Sequence, residues 1–406
     1  MSNLTDTFYL RRSSRYSNPL NGNDCLPIVY GDLTDGDNGI WELPRIDLIE
    51  GTPDTPVYCF AGHEVLSAAN GNTVTIYEDG MELDPGLYTF DEADNYESLG
   101  TIATITFTSP KDNAVITAKG RGKPTSTGGS TLMENIIDII NDFLTVENDF
   151  SSSLFESTYK SRALQIFTAK GYKAAGVIAE DVKIWDTIVE MMSSFLGSAY
   201  LNGDGDLCLE IDDNSLDAEF SPAGIIPQSE SVILSTRQRL NNIINQCPCN
   251  YAYNYAAGEF KRQTNDTSHA DVISQGIHGV CEPNTPYQFY WCRDLTSVQT
   301  VQDIIVAKFK NPIWEIEIED QTLRRLGVDL GDVFIYSADW LYGTDGLPLV
   351  NNYWRTVGVT RDFDAGKIRF RALQMPYFLT TASLADGTYL ADGTIKAGSK
   401  RDETTY

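Results

Sequence analysis

The chain has 406 residues, 42% apolar and 21% charged, enough for roughly two to four packed domains and too apolar for wholesale disorder. Acids outnumber bases 57 to 30, a net charge of −27, and apart from Arg11, Arg12 and Arg15 the bases are scattered. Duplex binding needs clustered Lys and Arg facing phosphates, so no direct specific nucleic-acid binding is expected.

No stretch reaches the ~18 apolar residues of a membrane span, and Met1 to Ser14 lacks the apolar core of a secretory signal. The expectation is a chain folded in the cytoplasm without a membrane anchor. Residues 1–24 are polar and read as an arm. Pro27 to Tyr30 is a short apolar strand, and Gly31 to Gly39 is a long Asp/Gly turn. A calcium loop wants acids at alternate positions and a Glu at the twelfth place. Neither this stretch nor Asn202 to Asp206 meets that pattern, so both read as turns. From Val57 to Lys119 the pattern is β, with alternation at Asn72 to Glu78, Leu87 to Phe90, Thr101 to Thr108 and Ala114 to Ala118. Gly120 to Ser130 is rich in Gly, Lys, Ser and Thr and reads as a linker.

The centre of the chain carries the firmest pattern. Leu132 to Leu144 is a helix with Met133, Ile136, Ile137, Ile140 and Leu144 on its apolar side. A second helix is capped by Asp181. Its stripes are Val182, Trp185, Val189, Met192 and Leu196, and Ile184, Ile188, Met191 and Phe195, so it must be covered on more than one side. Gly197 supplies a stop through its freedom to take positive φ. Ser198 to Leu201 and Asp206 to Ile211 form a hairpin around Asn202-Gly203-Asp204-Gly205.

The last part is β-rich. Ser231 to Gln246 is apolar with Arg237 and Arg239, and Asn250 to Phe260 alternates Tyr251, Tyr253 and Tyr255. Asp294 to Phe309 has helix spacing and stops at Asn311-Pro312. Trp314 to Ile318 is a strand with an acidic outer face. Gly331-Asp332 opens another strand, and Asn352 to Thr360 pairs with Lys367 to Leu373 around Asp364-Ala365-Gly366. Ala385 to Leu390 is echoed by Ala391 to Lys396, a two-copy repeat read as a tail. The fold class is α+β and β-rich, with several β-barrel- or sandwich-like modules flanking a small helix-plus-hairpin unit. The expected domains are 1–125, 126–225, 226–380 and a tail at 381–406.

Catalytic patterns are missing. His63-Glu64 is followed by Ser67 and not by a second His, and no Gly-x-Ser-x-Gly occurs. Gly120-Arg121-Gly122-Lys123 lacks the upstream Gly of a phosphate loop and runs into Pro124. Carboxylate pairs for glycoside cleavage are defined by a spatial separation, so none is picked. No catalytic residue is named. The cysteines carry the one open question. Seven is an odd number, against a full disulfide framework. Cys247-Pro248-Cys249 puts two thiols on one side of an extended segment, and Cys281 and Cys292 follow. Four thiolates satisfy a zinc or iron–sulfur site. The spacing is not Cys-x-x-Cys, however, and free cysteines are commonly buried core. The expectation is no cofactor, with zinc or a cluster as the alternative.

The order of elements resembles a family. Glu134 to Ile211, "ENIIDIINDFL…GYKAAGVIAEDVKIWDTIVEMMSSFLGSAYLNGDGDLCLEI", is followed by "STRQRLNNIINQCPCNYAYNYAAGEFKR" from Ser235 to Arg262. Then come a Ser274-Gln275-Gly276 link, a helix over Ser297 to Lys308 and a strand opened by Gly331-Asp332. This is similar to the baseplate and tail-tip hub proteins of long-tailed bacteriophages, over about 134–375. Leu26 to Ile49 also looks like phage structural protein. The resemblance implies a homo-oligomer, trimer or hexamer, in the virion tail. It would be assembled in the host cytoplasm, in contact with tube, tape-measure and fibre proteins. Some relatives hold an iron–sulfur cluster on four cysteines, which here would be Cys247, Cys249, Cys281 and Cys292. Two rivals differ in class: a carbohydrate-binding or glycan-depolymerising tip protein, and a cytoplasmic enzyme with an unrecognised site.

Overall fold

The computed structural model describes residues 26–35, 40–46, 56–96, 99–109, 114–180, 182–212, 225–239, 242–265, 267–343 and 348–375. Outside them lie the arm with its three arginines, Gly36 to Gly39 of the first turn, the Asp181 cap and the repeated tail. The described residues hold five α-helices: α1 (Ile136–Thr145), α2 (Ser157–Lys170), α3 (Ile184–Ser193), α4 (Val272–His278) and α5 (Leu295–Phe309). Strands are the larger share, in six sheets, none of which closes into a barrel. The β-rich α+β class is therefore what the chain adopts.

Compactness divides the chain into two interleaved units. The first comprises Met1–Ile211, Cys247–His269 and Pro283–Asp303; the second comprises Asp212–Gln246, Ala270–Glu282 and Ile304–Tyr406.

In the first unit, two antiparallel sheets share one core. One runs Trp41–Glu42, Ile116–Lys119, Thr75–Glu78, Met81–Glu82; the other runs Val57–Ala61, Gly100–Phe107, Tyr88–Tyr96. Trp41 and Phe60 meet edge to face at 4.9 Å, Tyr58 and Phe107 at 5.5 Å, and Trp41 Nε1 donates to Phe60 O at 3.2 Å. Edge-to-face packing sets positive ring edges on negative faces, worth ~0.5–1.5 kcal/mol per pair beyond burial.

α1 starts where Asn135 accepts from Ile137 N and buries Ile136, Ile137, Ile139, Ile140, Phe143 and Leu144. α2 is capped by Glu156 and ends at Gly171 with φ 66°. α3 starts at Ile184 and buries Ile184, Ile188, Met191 and Met192, while Val189 of the expected stripe is exposed. The hairpin Gly197–Leu201 with Leu207–Ile211 forms as expected, and Asn202 Oδ1 accepts from Asp204 N and Asp206 N.

Two expectations need correcting. The left-handed residue after α3 is Leu196, φ 55°, not Gly197. Gly197 is needed for a close approach, because a Cβ there would lie 2.9 Å from the backbone oxygen of Met192. Gly120 to Ser130 is also no loose linker. Gly122 and Lys123 hydrogen-bond Gly31 and Val29, and a Cβ on Gly122 would meet Val29 O at 2.3 Å. Lys123 Nζ reaches Asp142 at 2.7 Å and Glu147 at 2.5 Å, with Glu147 only 1% exposed. Tyr30 OH adds a bond to Asp142.

The second unit is built on a six-stranded mixed sheet in the order Ile225–Ile226, Val333–Tyr342, Pro348–Asp362, Lys367–Gln374, Trp314–Asp320, Ser231–Gln238. Alternate residues turn one face inward, where Ile316, Ile318, Phe334, Trp354, Ile368 and Phe370 form the core. Each such side chain contributes ~1.5–3 kcal/mol by leaving water.

Candidate functional site

Cys247 and Cys249 flank Pro248 where the strand Cys249–Asn254 begins. Their sulfurs are 3.8 Å apart and both are buried. Cys249 Sγ also points at Cys247 O, which accepts from Gln302 Nε2 at 2.6 Å. Cys292 is buried as well, its Sγ directed at Asp294 O. The hydrogen bond to Cys247, with burial, pushes the Cys249 thiol up; burial and then Asp294 do the same for Cys292. These three belong to the first unit. Cys281 belongs to the second, half-buried after α4, with its Sγ on His278 O at 3.7 Å. Metal ligation needs thiolates converging on one point. Among the described residues, no three His, Cys, Asp or Glu side chains are so grouped. Cys247, Cys249 and Cys292 are buried thiols, and Cys281 is half-buried.

The histidines are dispersed. Buried His63 accepts from Val29 N at Nε2 and has Glu64 O against Nδ1, which fixes the neutral tautomer. His269 pairs with Asp303 at 2.6 Å, and His278 lies on α4. An open cavity of about 280 Å³ lies beside α1 and α2, lined by Leu132, Phe167 and Tyr172 with Glu134, Asp138 and Lys173. Burial raises both carboxyls, against Lys173 for Glu134 and Lys160 for Asp138. Its lining contains no histidine or cysteine, and its polar groups are Thr125, Thr168 and Asn135 beside the two carboxyls and Lys173.

Arg293 is buried at 6% exposure. Its Nη1 donates to Tyr253 O, while Nε and Nη2 meet no acceptor, and burial brings its pKa down to about 10. Nearby Tyr253, Phe260 and Tyr290 pack edge to face or tilted, with ring centroids 4.9–5.0 Å apart.

The most distinctive surface is α4. Asp271 caps it, accepting from Ser274 N. Its inner contacts are polar: Ser274 Oγ donates to Lys310 O and accepts from Asn245 Nδ2, and Asn245 Oδ1 receives Cys281 N. Its aliphatics face out, with Val272, Ile273 and Ile277 at 69–75% exposure, and Val280, just past its end at Gly279, is 64% exposed. The segment read as a Ser/Gly link is thus an inside-out helix. The i, i+4 spacing of Ile273 and Ile277 after a capping Asp was the missed signal. Such exposed aliphatic clusters mark contact surfaces.

No family model matches the sequence, and no curated protein matches it. Among solved structures, the chain is similar to the tail protein from Neisseria meningitidis MC58, at 10% identity and TM-score 0.33, over 86% of this chain and 96% of that one. It is similar also to the 43 kDa tail protein of prophage MuSo2 from Shewanella oneidensis, at 9% identity and TM-score 0.31, over 87% and 98%.

Proposed function

We propose that this chain is a structural component of a bacteriophage tail baseplate or tail-tip hub. It joins the tail tube to distal tip proteins and fibres around a central channel. Its role is contact, and no catalytic step or resident cofactor belongs to it. The observation that carries this reading is α4, which spends its polar residues on attachment and turns its aliphatics to the outside. An exposed aliphatic face of this kind suits a subunit that meets a neighbour. The element order over residues 134–375, with its resemblance to hub proteins, supplies the kind of assembly. The acid excess keeps passing DNA from sticking to the channel wall by like-charge repulsion.

Electron microscopy of the purified chain, with mass spectrometry of phage particles, tests the reading. A ring with a central opening, and the chain present in tails, are expected. A monomer that binds or cleaves glycans and is missing from particles would replace the reading with the carbohydrate one.

A further inference from the structure

The six-stranded sheet has two unlike faces. Opposite the core, the strand Trp314–Asp320 sets out Glu315, Glu317 and Glu319, since alternate residues share a face. Basic residues flank this row on both neighbouring strands. The register places Arg237 beside Glu315 on one side, and Arg371 and Arg369 beside Glu317 and Glu319 on the other. The acids sit low and the bases high: Glu319 and Glu315 side chains are 8% and 15% exposed, against 56% and 59% for Arg369 and Arg371. Lys367 Nζ and Arg369 Nε bind Glu319 at 2.7 and 2.9 Å, and with Gln321 they hold its carboxyl down to about 2. Arg239 holds Glu315 at 2.8 Å. Glu315 and Glu319 are therefore engaged by bases above them, while half-buried Glu317 accepts from Ser235 Oγ, and the bases stand out toward solvent beside exposed Val232. A guanidinium has five N–H donors, so each arginine keeps donors for a second carboxylate.

This face reverses the sign of a chain whose net charge is −27. The opposite extreme is in the same sequence. From Ile46 to Pro110 there are twelve acids and no Lys or Arg. Of these, Glu82, Asp84 and Asp91 are exposed, close to the edge strand Tyr88–Tyr96. Asp84 caps the turn Pro85–Leu87 that leads directly into Tyr88, and Glu82 ends the short strand just before it. Two copies of so acidic a chain repel one another except where unlike charges meet.

We propose that the arginine- and lysine-bearing face of the six-stranded sheet seats a second copy of this chain, taking the acidic margin around Glu82, Asp84 and Asp91 of that copy. The contact is heterologous, face to margin, so repetition closes a ring or extends a stack. Nucleic acid fits less well. A duplex presents one phosphate charge per ~1.7 Å along its axis, a longer and denser line of charge than these few bases, already partnered to Glu315 and Glu319, can neutralise. The proposal rests on the oligomeric part of the tail reading and adds the surfaces that meet.

A charge exchange in the full chain tests it by sedimentation velocity. Arg369→Glu with Arg371→Glu reverses the face, and Glu82→Lys with Asp91→Lys reverses the margin. Wild type is expected to assemble. Each variant alone is expected to lose association by at least about tenfold, and an equimolar mixture of the two to regain it, because each reversed surface then finds its complement. Arg369→Gln with Arg371→Gln serves if the glutamates, next to Glu319, prevent folding; it also weakens assembly without adding a buried like charge. Assembly unchanged in the variants overturns the contact and leaves the tail reading standing. So does a mixture that stays dissociated, or a wild-type chain that stays monomeric and binds a DNA duplex through these arginines. A wild-type chain that is monomeric and also missing from phage tails overturns both.

Discussion

α1 and α4 are spelled with the same kinds of residue and end in opposite surroundings. α1 buries Ile136, Ile137, Ile139, Ile140, Phe143 and Leu144; α4 exposes Val272, Ile273 and Ile277 and buries Ser274. The difference lies in what anchors each. α1 lies within its unit's apolar interior. α4 is tied down by hydrogen bonds from Ser274, Asn245 and Asp271, which fix its polar side inward and leave the aliphatics no cover. Hydrophobic letters report a need to be covered. Whether the cover comes from the same chain or another is decided by the polar groups on the opposite side.

The sharpest way to break this contrast is to empty the α1 core. Phe143→Ala is expected to lower unfolding free energy by about 3–5 kcal/mol in urea titration, from lost transfer energy and the cavity left behind. A loss below about 1 kcal/mol would mean that α1 is not core. On the polar side of α1, Lys123→Met strands the carboxylates of Asp142 and Glu147 away from water and is expected to cost a similar ~3–5 kcal/mol. Adding Asp142→Asn and Glu147→Gln should recover part of it, because neutral amides bear burial better than carboxylates.

The effects at α4 are smaller. Ser274→Ala removes one bond to Lys310 O and another from Asn245, for about 1–3 kcal/mol. Acid acts on the same attachment. The hydrogen bond from Lys310, with Ser274 N, holds the Asp271 carboxyl below its ordinary 3.8. A depressed carboxyl contributes stability that is present above the ordinary value and is lost as pH falls below it. Hydrogen-exchange protection of α4 should therefore fall on acidification through about pH 4, and Asp271→Asn should flatten that dependence. The smallest effect tests the exposed side. Ile273→Gln with Ile277→Gln is expected to change monomer stability by under about 0.5 kcal/mol per site while reducing self-association and aggregation. A loss of several kcal/mol would show that these side chains are covered within the chain.

Much of the fold could be read from periodicity. The hairpin at 197–211, the helices at 136, 184 and 295 and the terminal strand pairs follow from apolar spacing and Asn/Gly turn chemistry. α2 escaped because only Ala163, Ile166 and Phe167 of its fourteen residues are buried, too few to mark a stripe. Gly122 and Lys123 looked like linker because their roles, a close backbone approach and a buried ion pair, depend on Val29, Asp142 and Glu147, far away in the chain. The basic face was hidden for the same reason. Arg237 and Arg371 are 134 positions apart in the chain and share a face only through the strand order of the folded sheet.

The interleaving of the two units bears on biosynthesis. Pro283–Asp303 completes the first unit, and the strands after Ile304 complete the second. Translation therefore passes Asp303 before either unit has all its parts. Early segments emerge from the ribosome with incomplete sheets, and premature termination anywhere before the last strand at Lys367–Gln374 yields a product with an open sheet edge. Such a fragment lacks the strand that lies between Pro348–Asp362 and Trp314–Asp320, so the sheet is left in two parts.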